Sequence, residues 1–249
     1  MRFSSLLGNI FFPPRCAVCR ELLPISHSEY SSGAVLCKNC AADFERAKRE
    51  SCPACLCPSH LCLCSAEVGK LKRYALPKLL TYTPGINNTQ NRIIYAAKHS
   101  NEKRLTEFLA SELCVSLCRY MKDKGISPDQ CIYCYVPRTG RAIREYGFDQ
   151  GQRLARALAR ICEGEFCELF KRKRGREQKK LGAKDRAKNM SGSLLLSKKS
   201  AFAEGRIVVI VDDLVTTGQT LGSAAALLKS VGAQEVIVTS VAKTASKKS

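Results

Sequence analysis

No apolar run in this 249-residue chain approaches the roughly 18–20 residues that a membrane-spanning helix needs. The opening stretch, residues 1–14, holds a short apolar segment but no small-residue cleavage site, which speaks against a secretory leader. Leu6 to Phe12 is expected to pack as a short amphipathic turn on its own domain. There is no Gly-Lys-Ser/Thr after four variable residues, so the chain is not a P-loop nucleotidase. Histidine is scarce, with 3 in the chain, and His27 and His99 read as solvated or locally bonded side chains. Acidic residues are outnumbered, 22 against 41 Lys and Arg, for a formal net charge of +19. Apolar residues are not lacking. At 45% of a 249-residue chain they suffice for one moderate α/β domain plus something small.

Cysteine is abundant, and 9 of the 15 lie before residue 65. Without a leader the expected compartment is the reducing cytoplasm, where cysteine pairs hold metal more often than they form disulfides. Cys16-x2-Cys19 and Cys37-x2-Cys40 have the spacing of a zinc ribbon, two thiolate pairs completing one tetrahedron. Cys52, Cys55, Cys62 and Cys64 offer a second set, with Cys57 or His60 as substitute ligands. The six later cysteines (Cys114, Cys118, Cys131, Cys134, Cys162 and Cys167) sit among apolar neighbours and read as small hydrophobes. A unit this small buries little core, so zinc binding, about 10–16 kcal/mol at neutral pH, is expected to supply much of its folding energy. The expected division is a zinc-ribbon domain over 1–70 and a second domain over 71–249.

The second domain is organised around Arg206 to Thr220. Ile207 to Val211 is a continuous β-branched run, suited to a strand buried on both faces, and Asp212-Asp213 ends it. Thr216, Thr217, Gly218, Gln219 and Thr220 follow, and Leu221, Ala225 and Leu228 then share one helical stripe. Gly232 stops the helix, and Glu235 to Ala242 is the next strand. Backbone N–H groups converging at that helix start form a nest for an anion, and phosphate is the natural guest. A carboxylate pair beside a phosphate suits sugar hydroxyls or Mg²⁺.

Upstream, Tyr74 to Tyr82 is an extended segment that Pro77 keeps out of a central strand position. Asn91 to Lys98 and Glu102 to Lys124 are helices, the second stopped by Gly125. Asp129 to Val136 is a strand. Gln150 to Cys162 is a helix with Leu154, Leu158 and Ile161 on one face and Arg153, Arg156 and Arg160 on another. Helix and strand alternate, which predicts an α/β fold with a mainly parallel sheet flanked by helices.

The charge is uneven. Residues 71–249 hold 33 Lys/Arg and 16 Asp/Glu, leaving +17, while residues 1–70 hold 8 and 6, leaving +2. Ten basic residues fall within Lys171 to Lys188: Lys171, Arg172, Lys173, Arg174, Arg176, Lys179, Lys180, Lys184, Arg186 and Lys188. With Gly175, Gly182 and almost no apolar residue, 171–188 reads as a mobile loop. It fits a lid over pyrophosphate or a track for single-stranded DNA held by counterion release.

Val208 to Thr220 resembles the phosphoribosyl-pyrophosphate (PRPP) motif of type I phosphoribosyltransferases. The resemblance implies that Asp212 and Asp213 contact the ribose hydroxyls and that Thr216 to Thr220 hold the 5-phosphate. Base-salvage members often carry an acidic residue where Thr216 stands, so a base-activating carboxylate is missing. The cysteine-rich start, Val136-Pro137-Arg138, Arg144 to Gln150, and Gln178 to Asn189 extend the likeness to nearly the whole chain, which resembles the ComF family of competence-associated proteins. Tyr146 replaces the family's usual arginine before Gly-Phe, with Arg144 nearby to cover for it, and Asp149 replaces the usual asparagine. The family implies a cytoplasmic protein that handles incoming single-stranded DNA in natural transformation, with other competence or DNA-processing proteins as partners. If a phosphoribosyl transfer occurs, Asp212, Asp213 and Mg²⁺ would stabilise its cationic state, and Arg138 with the basic loop would hold pyrophosphate. The rival expectations are a salvage enzyme, which needs base-recognising aromatics that the sequence does not identify, and a zinc-ribbon adaptor.

Overall fold

A computed structural model describes residues 13–23, 35–65, 70–86, 88–99, 102–173 and 194–245. Along them run α1 (Lys38–Arg49), β1 (Lys78–Tyr82), α2 (Thr89–His99), α3 (Lys103–Asp123), β2 (Ile132–Tyr135), α4 (Gly140–Tyr146) and α5 (Gln150–Ile161). β3 (Glu165–Phe166), β4 (Phe170–Arg172), β5 (Leu194–Leu196), β6 (Ile207–Val215), α6 (Gln219–Ser230) and β7 (Glu235–Thr244) complete the order. Leu6 to Phe12, His27 and the basic residues Arg174, Arg176, Lys179, Lys180, Lys184, Arg186 and Lys188 lie outside the described residues. Among the described residues, no helix is long and apolar enough to cross a membrane.

Five strands form one sheet in the order β1-β7-β6-β2-β3, parallel at every pair. This is the mainly parallel α/β sheet flanked by helices expected from the sequence. β6 shows why its β-branched run is continuous. Val209 and Val211 face the apolar cluster shared with α3 and α5, while Val208 and Ile210 face the one shared with α6. Side chains alternate across a strand, so covering both faces requires an apolar residue at every position. Burying each such side chain is worth about 1.5–3 kcal/mol.

β6 does not stop at the acidic pair. It continues to Val215, because β7 runs on to Thr244 and keeps the ladder closed through Asp212↔Ser240 and Val215↔Lys243. β1 pairs with β7 alone and forms the sheet edge, where the preceding Pro77 costs no ladder bond. The strand expected from Asp129 begins only at Ile132, after a 3₁₀ turn over Pro128–Gln130.

Several elements were not foreseen: α1, α4, the short strand β3, and the antiparallel pair β4–β5. The pair corrects the loop assigned to 171–188 at its start. Lys171 and Arg172 belong to β4, anchored by buried Phe170 and, on the partner strand, Leu194. Arg172 is half-buried, with its Nε donating to the Pro137 carbonyl at 2.8 Å, so it braces the loop after β2. Lys171 and Lys173 are exposed.

The cysteine-rich start packs against α3. Phe44 of α1 lies 5.1 Å from Phe108 of α3, ring centre to ring centre, and Lys48 Nζ is 2.6 Å from Glu112. Ala17, Val35, Phe44 and Ala47 join the same apolar cluster as Leu109, Leu113 and Val209. A unit too small for its own core thus borrows the surface of α3.

Candidate functional site

The loop after β2 meets the carboxyl-terminal part of the adjacent parallel strand β6, the end of the sheet at which open α/β folds bind ligands. Tyr135 of β2 pairs with Val211 of β6, so the residues after β2 face the carboxyl-terminal part of β6, where Asp212 and Asp213 lie. Arg138 Nη2 lies 2.7 Å from Asp213 Oδ2, with both side chains largely buried. The second guanidinium nitrogen, Nη1, is buried and has no hydrogen-bond partner among the described residues. A buried, unpartnered cationic donor is costly unless an anion comes to it.

The Arg138 backbone is held from two sides. Its N–H donates to Asp149 Oδ2 at 2.8 Å, and Asp149 Oδ1 accepts from Gln152 N at 3.3 Å, capping α5. Arg172 reaches the adjacent Pro137 carbonyl. The aspartate that departs from the family pattern therefore makes its polar contacts. It caps a helix and fixes the arginine loop at once.

On β6, Asp213 N donates to Asp212 Oδ1 at 2.9 Å and Leu214 N to Asp213 Oδ1 at 2.7 Å. Burial pushes the Asp212 carboxyl well above its usual range, and the neighbouring Asp213 charge pushes the same way. Such a carboxylate gains from a cation placed beside it, so the pair fits Mg²⁺. After the strand, Thr216, Thr217 and Gln219 are exposed and Thr220 is half-buried. Gly218 is the N-cap of α6 at φ +70°, a left-handed conformation that a side chain would strain. The segment from Thr216 to Thr220, where the sequence suggests a phosphate nest, thus leads into the start of α6 just after the carboxylate pair.

Next to this crevice is a row of rings that the sequence reading missed. Tyr95 stacks on His99 with centroids 4.0 Å apart at 26°, and His99 meets Tyr146 edge-on at 5.1 Å. Tyr146 in turn lies 5.2 Å from the Arg138 guanidinium. His99 is therefore stacked rather than simply solvated. The one available signal was spacing: Tyr95 and His99 are four apart on a helix and must share a face. Tyr146 comes from a different helix, and only the fold brings it in. Beyond Tyr95, which is 64% exposed, opens a cavity of about 670 Å³ lined by Arg20, Tyr82, Asn91, Arg92, Tyr95 and His99. The arginine face of α5 is mostly engaged: Arg153 lies over Phe148, Arg156 over Phe166 and Arg160 beside Glu107.

The cysteines form both expected four-residue sets. Within Cys16, Cys19, Cys37 and Cys40, and within Cys52, Cys55, Cys62 and Cys64, the sulfurs all lie within 4.8 Å of one another. The same tight turn recurs in each. Arg20 N donates to Cys16 O with Arg20 at φ +65°, and Leu56 N donates to Cys52 O with Leu56 at φ +61°. One detail differs from expectation: the Cys37–Cys40 pair opens helix α1 instead of sitting on a turn. Burial pushes Cys16 up, but backbone N–H groups of Cys19, Cys37 and Val18 outweigh it and bring it to about 7. Burial pushes Cys37 to about 11. Neither substitute ligand joins the second set. Cys57 is exposed and outside the second set, and His60 Nδ1 is bonded to the Lys48 carbonyl at 2.7 Å.

Lys78 tests whether these sets fit zinc. Its ammonium is buried, 1% exposed, and donates to Cys62 Sγ at 3.1 Å, Cys62 O at 3.1 Å and Cys64 O at 3.2 Å. A buried cation needs a compensating negative charge. Four thiolates around Zn²⁺ carry a net charge of about −2, which supplies it. A third group, Cys114, Cys118 and Cys162, was read as packing alone, yet the fold brings the three sulfurs together.

Residues 148–249 match the phosphoribosyl transferase domain family. The chain is 28% identical over 239 residues to the DNA utilization protein YhgH of Escherichia coli O157:H7, covering 93% of this chain and 98% of that protein. It is 24% identical over 208 residues to the competence protein ComFC of Streptococcus pneumoniae, 81% of this chain and 84% of that one. It is 32% identical over 99 residues to competence protein F of Haemophilus influenzae, 39% of this chain and 43% of that one.

Proposed function

Because the chain belongs to the ComF family, we propose that it binds PRPP in the crevice between β2 and β6 and single-stranded DNA beside it, and that it handles incoming DNA in natural transformation. The observation that carries this reading is the continuity of the surface. The ring row Tyr95–His99–Tyr146 ends on Arg138, and Arg138 is paired with Asp213. Stacking surfaces for bases and donors for phosphates thus adjoin, the combination single-strand binders use.

In this reading, the N–H groups and hydroxyls of Thr216 to Thr220 hold the 5-phosphate at the start of α6. Asp212 and Asp213 accept from the ribose hydroxyls. Arg138 turns its free Nη1 to the pyrophosphate, held in place by Asp149 and Arg172. When bound, Mg²⁺ neutralises charge on pyrophosphate. The two four-cysteine sets would hold Zn²⁺, which would keep the cysteine-rich start in shape against α3 and β1. Lys171 and Lys173, with Arg174, Arg176, Lys179, Lys180, Lys184 and Arg186, add electrostatic attraction for the DNA backbone.

A phosphoribosyl transfer to an acceptor base is the second reading, favoured by the ring row. It supplies the base-stacking surface that a salvage enzyme needs. Thr216 weighs against it, since no carboxylate stands there to activate a base.

Fluorescence anisotropy with a labelled oligothymidine tests the proposal. A stacked base is worth about 1–3 kcal/mol, so Tyr95→Ala should weaken binding by about 5–150-fold. Unchanged affinity would remove the ring row from DNA binding.

A further inference from the structure

We propose that Cys114, Cys118 and Cys162 form a third metal site, a three-thiolate centre for a soft monovalent cation such as copper(I). α3 places Cys114 and Cys118 one turn apart on one face, because residues four apart on a helix are neighbours. Cys162 caps the end of α5 and brings in the third sulfur from a second helix. Cys114 Sγ lies 3.2 Å from Cys162 Sγ and 3.5 Å from Cys118 Sγ, and all three sulfurs fall within 4.8 Å of one another.

The ligand set decides the metal. The group contains no carboxylate and no imidazole, so it has nothing to offer Mg²⁺ or Ca²⁺. Structural zinc takes four ligands, and this chain provides four in each of its two other cysteine sets. Here there are three, all sulfur, and soft thiolates select soft ions, copper(I) among them. Copper(I) is satisfied by three sulfurs and leaves no position to fill.

The surroundings agree. Cys162 is buried, while Cys114 and Cys118 keep partial exposure, which leaves an ion a way in from solvent. The cluster adjoins the apolar side of α3, α5 and β2, among Leu113, Leu117, Leu158 and Tyr133. A Cys114–Cys162 disulfide would use two of the three sulfurs and leave Cys118 without a role. A metal uses all three.

The test uses the full-length, zinc-loaded protein under anaerobic conditions. Copper(I) is delivered from a colorimetric chelator, with zinc release followed in parallel. One equivalent of copper should bind with a sulfur-to-copper charge-transfer band in the near ultraviolet, and zinc should stay bound. Cys114→Ala/Cys118→Ala/Cys162→Ala should lose that equivalent. If the triple variant fails to fold, Cys118→Ala alone, at a half-exposed position, should weaken copper binding at least tenfold. Cys131→Ala, a buried cysteine outside the group, should leave copper binding unchanged. Copper uptake matched by zinc release would overturn the proposal. So would wild-type uptake by the Cys118→Ala variant, or a peptide map of the anaerobically isolated protein showing Cys114 joined to Cys162.

Discussion

Arg138 and Asp213 stand 75 positions apart in sequence, yet their side chains lie 2.7 Å apart and tie the ends of β2 and β6 together. The pair gives the crevice a held charge pattern in the ligand-free protein. Asp213 is balanced by one guanidinium nitrogen, while the other nitrogen is buried and waiting. In the proposed reading, an arriving pyrophosphate takes Arg138 and releases Asp213 to the ribose. On that reading the pair links the two halves of PRPP recognition.

Replacing Lys78 by methionine should weaken zinc retention at the second cysteine set. Outer partners of metal ligands are worth about 10–100-fold in affinity. Removing one member of a buried charge pair costs about 3–5 kcal/mol. Zinc loss to a chelator should therefore be faster for Lys78→Met, with about one zinc per chain retained more tightly. Two zinc ions held with wild-type resistance would show that Lys78 does not answer a charged site.

Asp212 should make both stability and ligand binding depend on pH. Its carboxyl is raised in the folded state, so the fold holds that proton more tightly than the unfolded chain does. Its contribution is fully present in acid and is lost as pH rises through the raised value. Asp212→Asn should thus stabilise the ligand-free protein at pH 8 and change little at pH 4. Mg²⁺–PRPP needs the ionised form, so its affinity should rise with pH, by up to about tenfold per pH unit below the raised value. Urea melts at the two pH values check the first claim. A variant less stable than wild type at pH 8 would contradict it.

Gly164 should resist substitution. A Cβ there would lie 2.4 Å from Tyr133 Cε2 and 2.9 Å from the Cys131 carbonyl, and Tyr133 is fully buried. Gly164→Ala is expected to cost about 1–3 kcal/mol, the usual penalty of overpacking. Thermal melting at the wild-type temperature would show that the contact relaxes freely.

Much of this arrangement was legible in the chain, for identifiable reasons. Val208 to Val211 announced a doubly covered strand because every position is apolar. The spacing of Cys16, Cys19, Cys37 and Cys40 announced a metal set because four ligands must converge on one ion. What stayed hidden depends on contacts between distant segments. The ladder with β7 carries β6 past Asp212, although two carboxylates read locally as an end. Tyr146 reaches His99 only through the packing of α4 on α2. Cys162 meets Cys114 only because α3 and α5 pack side by side. Arg172 looked like one more loop cation until Phe170 anchored its strand.

The basic run should act on DNA and far less on PRPP. Single-stranded DNA affinity should fall with salt at a slope of about −0.7 per phosphate neutralised. Lys179→Ala/Lys180→Ala/Lys184→Ala should flatten the slope by roughly two and weaken all sequences alike. A wild-type slope in that variant, with reduced PRPP affinity, would make the segment a pyrophosphate lid instead.

Calorimetric titration of PRPP with Mg²⁺ addresses the crevice itself. Wild-type protein should bind, and Asp212→Asn/Asp213→Asn should lose several kcal/mol, since charged hydrogen bonds are worth about 1.5–3 kcal/mol each. Arg138→Gln should weaken PRPP more than it weakens ribose 5-phosphate, which lacks the pyrophosphate. Equal PRPP affinity in wild type and the double aspartate variant would contradict a PRPP site between β2 and β6.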